Sequence, residues 1–127
     1  MILRLDMASD VPIYQQIRNQ IVLGIGSGKL KPNESLPSVR QLAEDTGVNS
    51  MTVNKAYTLL KNEGYIVIDR RQGARIRPEP ENGLPNDSFI QKLEMLAAEA
   101  FAMGISKQDF LTSCKKAADS MNREGGR

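Results

Sequence analysis

Histidine is absent from the 127 residues of this chain, tryptophan is also absent, and cysteine occurs once. Without histidine the chain lacks the commonest general base and metal ligand, and one cysteine cannot form an internal disulfide or a multi-cysteine zinc site. We therefore expect no cofactor and no metal site. An enzyme is the least favoured class, because no nucleophile–base pair can be assembled from histidine here.

Long apolar stretches are missing as well. The N-terminus, MILRLDMASD, has a short apolar patch interrupted by Arg4 and Asp6, so it does not resemble a signal peptide. Nowhere do about 18 uncharged apolar residues follow one another, as a membrane-spanning helix requires. Because a lone cysteine is most simply kept in a reducing compartment, we expect a cytoplasmic protein with no membrane partner.

The charge is nearly balanced but unevenly distributed. The net charge is only +2, yet residues 40–77 carry seven basic and four acidic side chains, whereas residues 78–127 carry six basic and eight acidic ones. A locally positive segment is compatible with nucleic-acid binding, although an asymmetry of this size is common and indicates little by itself.

Apolar spacing predicts three helices in the first half of the chain. Asp10 is placed to cap the first, which ends at the Gly-Ser-Gly run. Ser38 and Gln41 form a capping box at the start of the second, SVRQLAEDT. Gly47 provides a left-handed turn, and Asn49 is placed to cap the third helix, SMTVNKAYTLLKNE. A short helix, a glycine turn and a longer helix are the layout of a helix-turn-helix.

A hairpin and a linker follow. YIVID and ARIRP are typical of short strands, and RRQG is the turn between them. Such a charged turn is usually only solvated. A phosphate-binding P-loop is disfavoured, because its glycine would have to open a helix rather than join strands. The proline-rich residues 78–86 predict a linker.

The remaining residues predict two tail helices, the first capped by Asp87 or Ser88 and the second opened by Ser106 and Asp109. Each helix has an apolar stripe too large to be buried within a lone hairpin, which favours pairing with a second copy of the chain. A cysteine on such a stripe more often packs than senses redox state. The predicted dimerisation residues are Phe89, Leu93, Leu96, Ala100, Phe110 and Cys114.

In a helix-turn-helix the second helix enters the major groove by its N-terminal residues. Ser50, Thr52 and Asn54 can reach phosphates or base edges, and Lys55 adds a positive charge. Met51 points away from the apolar face of its helix, so we expect it to be exposed towards DNA.

The segment LPSVRQLAEDTGVNSMTVNKAYTLLKNEGYI resembles the signature of the GntR family of bacterial transcription regulators. The resemblance covers residues 11–77, and the short two-helix tail is similar to that of the YtrA subfamily. It implies a winged helix-turn-helix, a double-stranded DNA operator as partner, and DNA contacts from Arg40 and from the opening residues of the recognition helix, beginning at Asn49.

The resemblance also implies that the hairpin is the wing. Its DNA-binding residues would be Arg70, Arg71, Gln72 and the wing-tip glycine Gly73, with Arg75 beside them. Many relatives have an arginine near position 50, where this chain has Ser50. A bidentate contact with guanine is therefore not available from Ser50, and the wing is expected to contribute more of the binding.

We therefore predict a mainly α-helical protein with a small β-hairpin. Residues 1–77 form the winged helix-turn-helix domain, residues 78–86 the linker and residues 87–127 the dimerisation tail. The predicted function is that of a homodimeric transcription regulator, expected to be a repressor, that binds a pseudo-palindromic operator. The alternative is a winged-helix module that binds another protein. No residues can be assigned to a small-molecule effector.

Overall fold

The computed structural model describes residues 1, 3–78 and 83–121, which divide near residue 79 into two compact units. Part of the predicted linker, residues 79–82, and the end of the predicted tail, residues 122–127, lie outside the described residues. Within the described ranges no helix combines the length and apolarity needed to cross a membrane. The elements are α1 (Ile13–Gly26), α2 (Val39–Thr46), α3 (Ser50–Glu63), β1 (Ile66–Asp69), β2 (Gly73–Ile76), α4 (Asp87–Ala102) and α5 (Lys107–Ser120).

The core of the first unit lies where α1, α2 and α3 meet the two-stranded hairpin. Each helix contributes residues spaced three or four apart, which is the period that places side chains on one helical face. The largest of the fully buried side chains are Ile17, Ile21, Val53, Tyr57, Leu60, Ile66 and Ile76. The mainly α-helical fold with a small β-hairpin is therefore as predicted.

The helix ends on either side of the turn are as predicted. Ser38 Oγ accepts a hydrogen bond from the backbone N–H of Gln41 at 3.0 Å, and Asn49 Oδ1 accepts one from Met51 at 2.7 Å. Gly47 adopts a φ of 72°, which an L side chain rarely tolerates. These local signals fix where α2 stops and α3 starts.

Two predicted caps were wrong. The helix α1 starts after Pro12, without a side-chain cap, because Asp10 lies two residues too early to reach the first turn. In the tail, Asn86 rather than Asp87 or Ser88 caps α4, and its Oδ1 accepts a hydrogen bond from Phe89 N–H at 2.9 Å. Here α4 simply starts one residue earlier than the predicted caps require.

The hairpin is attached to the helices by a segment that was not predicted to form a strand. Residues 33–36 run antiparallel to β2, with a bridge between Ser35 and Arg75. Leu36 N–H donates to Ala74 O at 2.9 Å and Ile76 N–H donates to Glu34 O at 2.8 Å. The connection between α1 and α2 therefore holds the base of the hairpin in place.

The second unit is a helical hairpin of α4 and α5. Ser106 Oγ caps α5 by accepting from Asp109 N–H at 3.0 Å, as predicted. Phe101 and Phe110 meet edge to face, with ring centroids 5.8 Å apart. Gly104 turns the chain between the helices at a φ of 87°. Much of the apolar surface of α4 remains exposed in the single chain.

Replacement of Tyr57 by phenylalanine is expected to lower the free energy of unfolding by about 1 kcal/mol, the net worth of one hydrogen bond. The hydroxyl donates to Pro37 O at 2.7 Å and so connects α3 to the residue before the cap of α2. Burial raises the pKa of Tyr57 to about 12, so the hydroxyl is still a protonated donor at pH 10, the ordinary pKa of tyrosine. Urea denaturation checks the value, and an unchanged midpoint would contradict it.

Candidate nucleic-acid interface

The turn between α2 and α3 is held by side-chain hydrogen bonds at both of its ends. Val48 is buried within the turn, and Thr46 Oγ1 donates to Leu42 O at 2.7 Å just before it. Asn49 then starts α3 with its side-chain cap. The first turn of α3 is consequently presented from a fixed scaffold.

One face of α3 is exposed and mostly polar. The opposite face, which carries Val53 and Leu60, is buried in the core. Of the predicted DNA-binding residues on and beside this helix, Thr52 is half-buried, and those that are exposed are Asn49, Ser50, Met51, Asn54 and Lys55. The fold therefore groups five of these six side chains on one accessible surface.

Arg40 lies in the first turn of α2 and its side chain is 90% exposed. Its Nε atom is 3.4 Å from Oε1 of Glu44, one helical turn away. An exposed ion pair of this kind contributes little to stability, and Arg40 can readily leave Glu44 for another anion. The Arg40 guanidinium is therefore accessible to an external anion.

Lys55 is held by a residue that the sequence did not indicate as part of this surface. Its ammonium nitrogen lies 4.1 Å from the ring centroid of Tyr14, in the first turn of α1. A cation above an aromatic ring is attracted by the negative face of the ring. Tyr14 thus defines where the charge of Lys55 is placed.

The tip of the hairpin is shaped by Asp69. Its Oδ1 accepts hydrogen bonds from Arg71 N–H at 2.9 Å and from Gln72 N–H at 2.6 Å. Gly73 follows with a φ of 70°, which closes the turn. The side chains that this geometry leaves exposed are Arg70, Arg71 and Gln72.

Arg75 does not join the exposed arginines. Its side chain is only 25% exposed and lies between Asp69, near the tip of the hairpin, and Asn33 of the α1–α2 connection. There Nη1 donates to Asn33 Oδ1 at 3.0 Å, and Nη2 lies 3.5 Å from Oδ2 of Asp69. A carboxylate and an amide within the fold engage its guanidinium, so Arg75 is not presented together with Arg70 and Arg71.

The wing turn is expected to lose order as the solution is acidified. The backbone N–H of Gln72 is the main cause that lowers the pKa of Asp69, with Arg71 N–H and the Arg75 guanidinium adding to it. Because the pKa is lowered by folding, the charged carboxylate stabilises the turn fully at pH values above 3.8, the ordinary pKa of the group. This stabilisation is lost as the pH falls through the lower pKa of the folded protein. The amide resonances of Arg71 and Gln72 should report the transition.

Asp69→Asn is the matched control for this titration. The asparagine Oδ1 can still accept the two backbone hydrogen bonds, but it does not titrate. The two amide resonances should therefore stay constant over the same pH range in the variant. A transition that persists in Asp69→Asn would assign it to another group.

The predicted dimerisation residues have different surroundings in the single chain. Ala100 is buried, at 7% exposed, and so offers no free surface. Phe110 and Cys114 are half-buried, and Phe110 contacts Phe101 within the hairpin. The three that are exposed are Phe89, Leu93 and Leu96.

The fold is a winged helix-turn-helix of the DNA-binding class. It has a buried three-helix core, a glycine turn before an exposed polar helix face, and a hairpin with arginines at its tip. The pattern of the family described as bacterial regulatory proteins, gntR family, matches residues 12–76. The chain belongs to this family of transcription regulators, and its relatives of similar length support the YtrA subfamily.

Two curated relatives show the extent of the similarity. The transcriptional repressor YtrA of Bacillus subtilis is 34% identical over 106 residues, which cover 81% of this chain and 82% of YtrA. The repressor NagR of the same organism is 36% identical over 94 residues, which cover 72% of this chain but only 39% of NagR. The similarity to NagR therefore concerns one part of a longer protein.

Solved structures agree with the fold. YtrA from Sulfolobus acidocaldarius, a GntR-family transcription factor, is 35% identical, with a TM-score of 0.60 over 94% of this chain and 99% of that one. A transcriptional antiterminator from Listeria monocytogenes has a TM-score of 0.84 over 99% and 95% of the two chains, but at 23% identity it supports the fold alone. AraR(DBD), solved in complex with operator ORX1, is 26% identical, with a TM-score of 0.51 over 60% of this chain and 94% of that one.

Proposed function

We propose that this chain is a cytoplasmic homodimeric repressor that binds a pseudo-palindromic DNA operator and has no catalytic role. The observation that carries the proposal is the exposed face of α3, whose polar side chains lie next to a glycine turn. In a helix-turn-helix this face is the part that enters the major groove.

The DNA contacts are assigned by chemistry. The exposed guanidinium of Arg40 and the side chains of Ser50 and Asn54 can bind base edges or phosphates. The residues Arg70, Arg71 and Gln72 follow the sugar–phosphate backbone from the wing, and Gly73 lets the wing turn close to it. The complex of AraR(DBD) with its operator supports DNA as the ligand of this fold.

Dimerisation is assigned to the second unit. Phe89, Leu93 and Leu96 form an exposed apolar row on α4, which is unfavourable in water unless another apolar surface covers it. A second copy of the same row is a self-complementary partner with twofold symmetry. Two recognition helices would then lie at half-sites about one DNA turn, ~34 Å, apart.

Repression is assigned by similarity. Both YtrA and NagR of Bacillus subtilis are named transcriptional repressors. A dimer that occupies a promoter can repress by excluding polymerase, and it needs no cofactor for this. No effector-binding residues are assigned.

The proposal is tested by selection of bound sequences from random double-stranded DNA, followed by titration of the selected duplex at several salt concentrations. We expect a sequence with twofold symmetry to be enriched. Its affinity should fall as salt rises, with a slope of about −0.9 for each phosphate neutralised. A protein-binding module would enrich no DNA sequence, and its function would be unchanged when the charge of Arg40 or Arg71 is removed by substitution.

A further inference from the structure

Met51 is out of keeping with the surface on which it lies. Its side chain is 79% exposed, and among the large apolar side chains of α2 and α3 it alone is exposed. Successive helical residues are rotated by about 100°, which places Met51 between Asn54 and Lys55 at the middle of the exposed arc. A single apolar group is thus surrounded by polar ones.

The fold does not require methionine at this position. The cap of α3 uses only the backbone N–H of Met51, which donates to Asn49 Oδ1, and any residue except proline could supply it. The side chain is not part of the buried core. Nor does it belong to a larger apolar patch on these helices, which would be needed to bind a protein partner.

The major groove offers one apolar feature, the 5-methyl group of thymine, among base edges that otherwise present hydrogen-bond donors and acceptors. We propose that Met51 is a specificity-determining residue that packs on a thymine 5-methyl group in each half-site. This inference rests on the proposed function, because it assumes that the exposed face of α3 enters the groove. The inference goes beyond the proposed function by naming the base feature that the centre of this face recognises.

The test replaces each thymine of the selected operator in turn by deoxyuridine, which removes the methyl group and keeps the base pairing. At one position per half-site, we expect wild-type affinity to fall about fourfold, the factor that burial of one methyl-sized group supports. Met51→Ala should bind the unmodified operator with a similar deficit. It should be insensitive to deoxyuridine at that same position, whereas Met51→Leu should stay sensitive.

Met95→Ala is the matched control, because Met95 is also exposed but lies on α4. The ratio of its affinities for the thymine and deoxyuridine operators should equal the wild-type ratio, even if its absolute affinity changes. The inference is overturned if replacement of no thymine by deoxyuridine lowers the wild-type affinity. It is also overturned if, at every thymine, deoxyuridine lowers the affinity of Met51→Ala by the same factor as that of the wild type. Failure to enrich any DNA sequence would instead overturn the proposed function, and this inference with it.

Discussion

A chain that carries Leu93→Glu together with Leu96→Glu is expected to be monomeric and to bind its full operator about 100-fold or more weakly, because linked binding of two modules typically raises affinity by factors of 10²–10⁴. Both leucines are exposed on α4 in the single chain. Two glutamates would face two more across a symmetric interface, where buried like charges are strongly unfavourable. Light scattering gives the mass, and a mobility-shift titration gives the affinity.

Two controls separate dimerisation from folding and from DNA contact. Gln91→Glu with Ala98→Glu adds the same two charges to exposed positions on the other side of α4, and this variant should remain dimeric. The Leu93/Leu96 variant should bind an isolated half-site as well as a wild-type subunit does. Retention of the dimer mass would refute the assignment of the interface to this face.

The elements that the sequence predicted well are those determined by neighbouring residues. The Ser38 and Asn49 caps and the left-handed turn at Gly47 each depend on residues within one helical turn. The hairpin is similar, because strand alternation and a glycine turn are local patterns. Such features can be predicted from short stretches of sequence.

The contacts that could not be predicted join distant parts of the chain. Arg75 is bound by Asn33, which is 42 residues earlier, and Lys55 lies over Tyr14 on another helix. Nothing in a basic hairpin shows which arginine will turn inward, since that depends on an acceptor supplied by the α1–α2 connection. The composition of the hairpin alone therefore does not show how many of its arginines the wing presents.

In the tail, too, burial could not be predicted from local sequence. Helical spacing placed Ala100 on one stripe with Leu93 and Leu96, but Ala100 is buried while the leucines are exposed. Spacing identifies a common face and does not show how far along the helix that face is covered. The exposed part of the stripe is the part on which the dimerisation proposal depends.

The second large effect is expected for Arg40→Ala, which should weaken operator binding by about 1–3 kcal/mol per half-site if the guanidinium reads a base. Arg40 is 90% exposed and its contact with Glu44 is a surface pair. The substitution should therefore leave the thermal midpoint almost unchanged while the affinity falls. Glu44→Gln is the matched control, because it frees Arg40 from its only recorded ion pair within the described chain and should not weaken binding.

Two further measurements distinguish base reading from phosphate contact. A guanidinium that pairs with a guanine in two hydrogen bonds cannot be replaced by an ammonium, so Arg40→Lys should lose affinity and relax the preference at one base pair. An Arg40 that only touches phosphate should instead tolerate lysine, and Arg40→Ala should then reduce the salt slope by about one per half-site without changing base preference. Full affinity and full specificity in Arg40→Ala would remove α2 from the interface and leave α3 and the wing as its components.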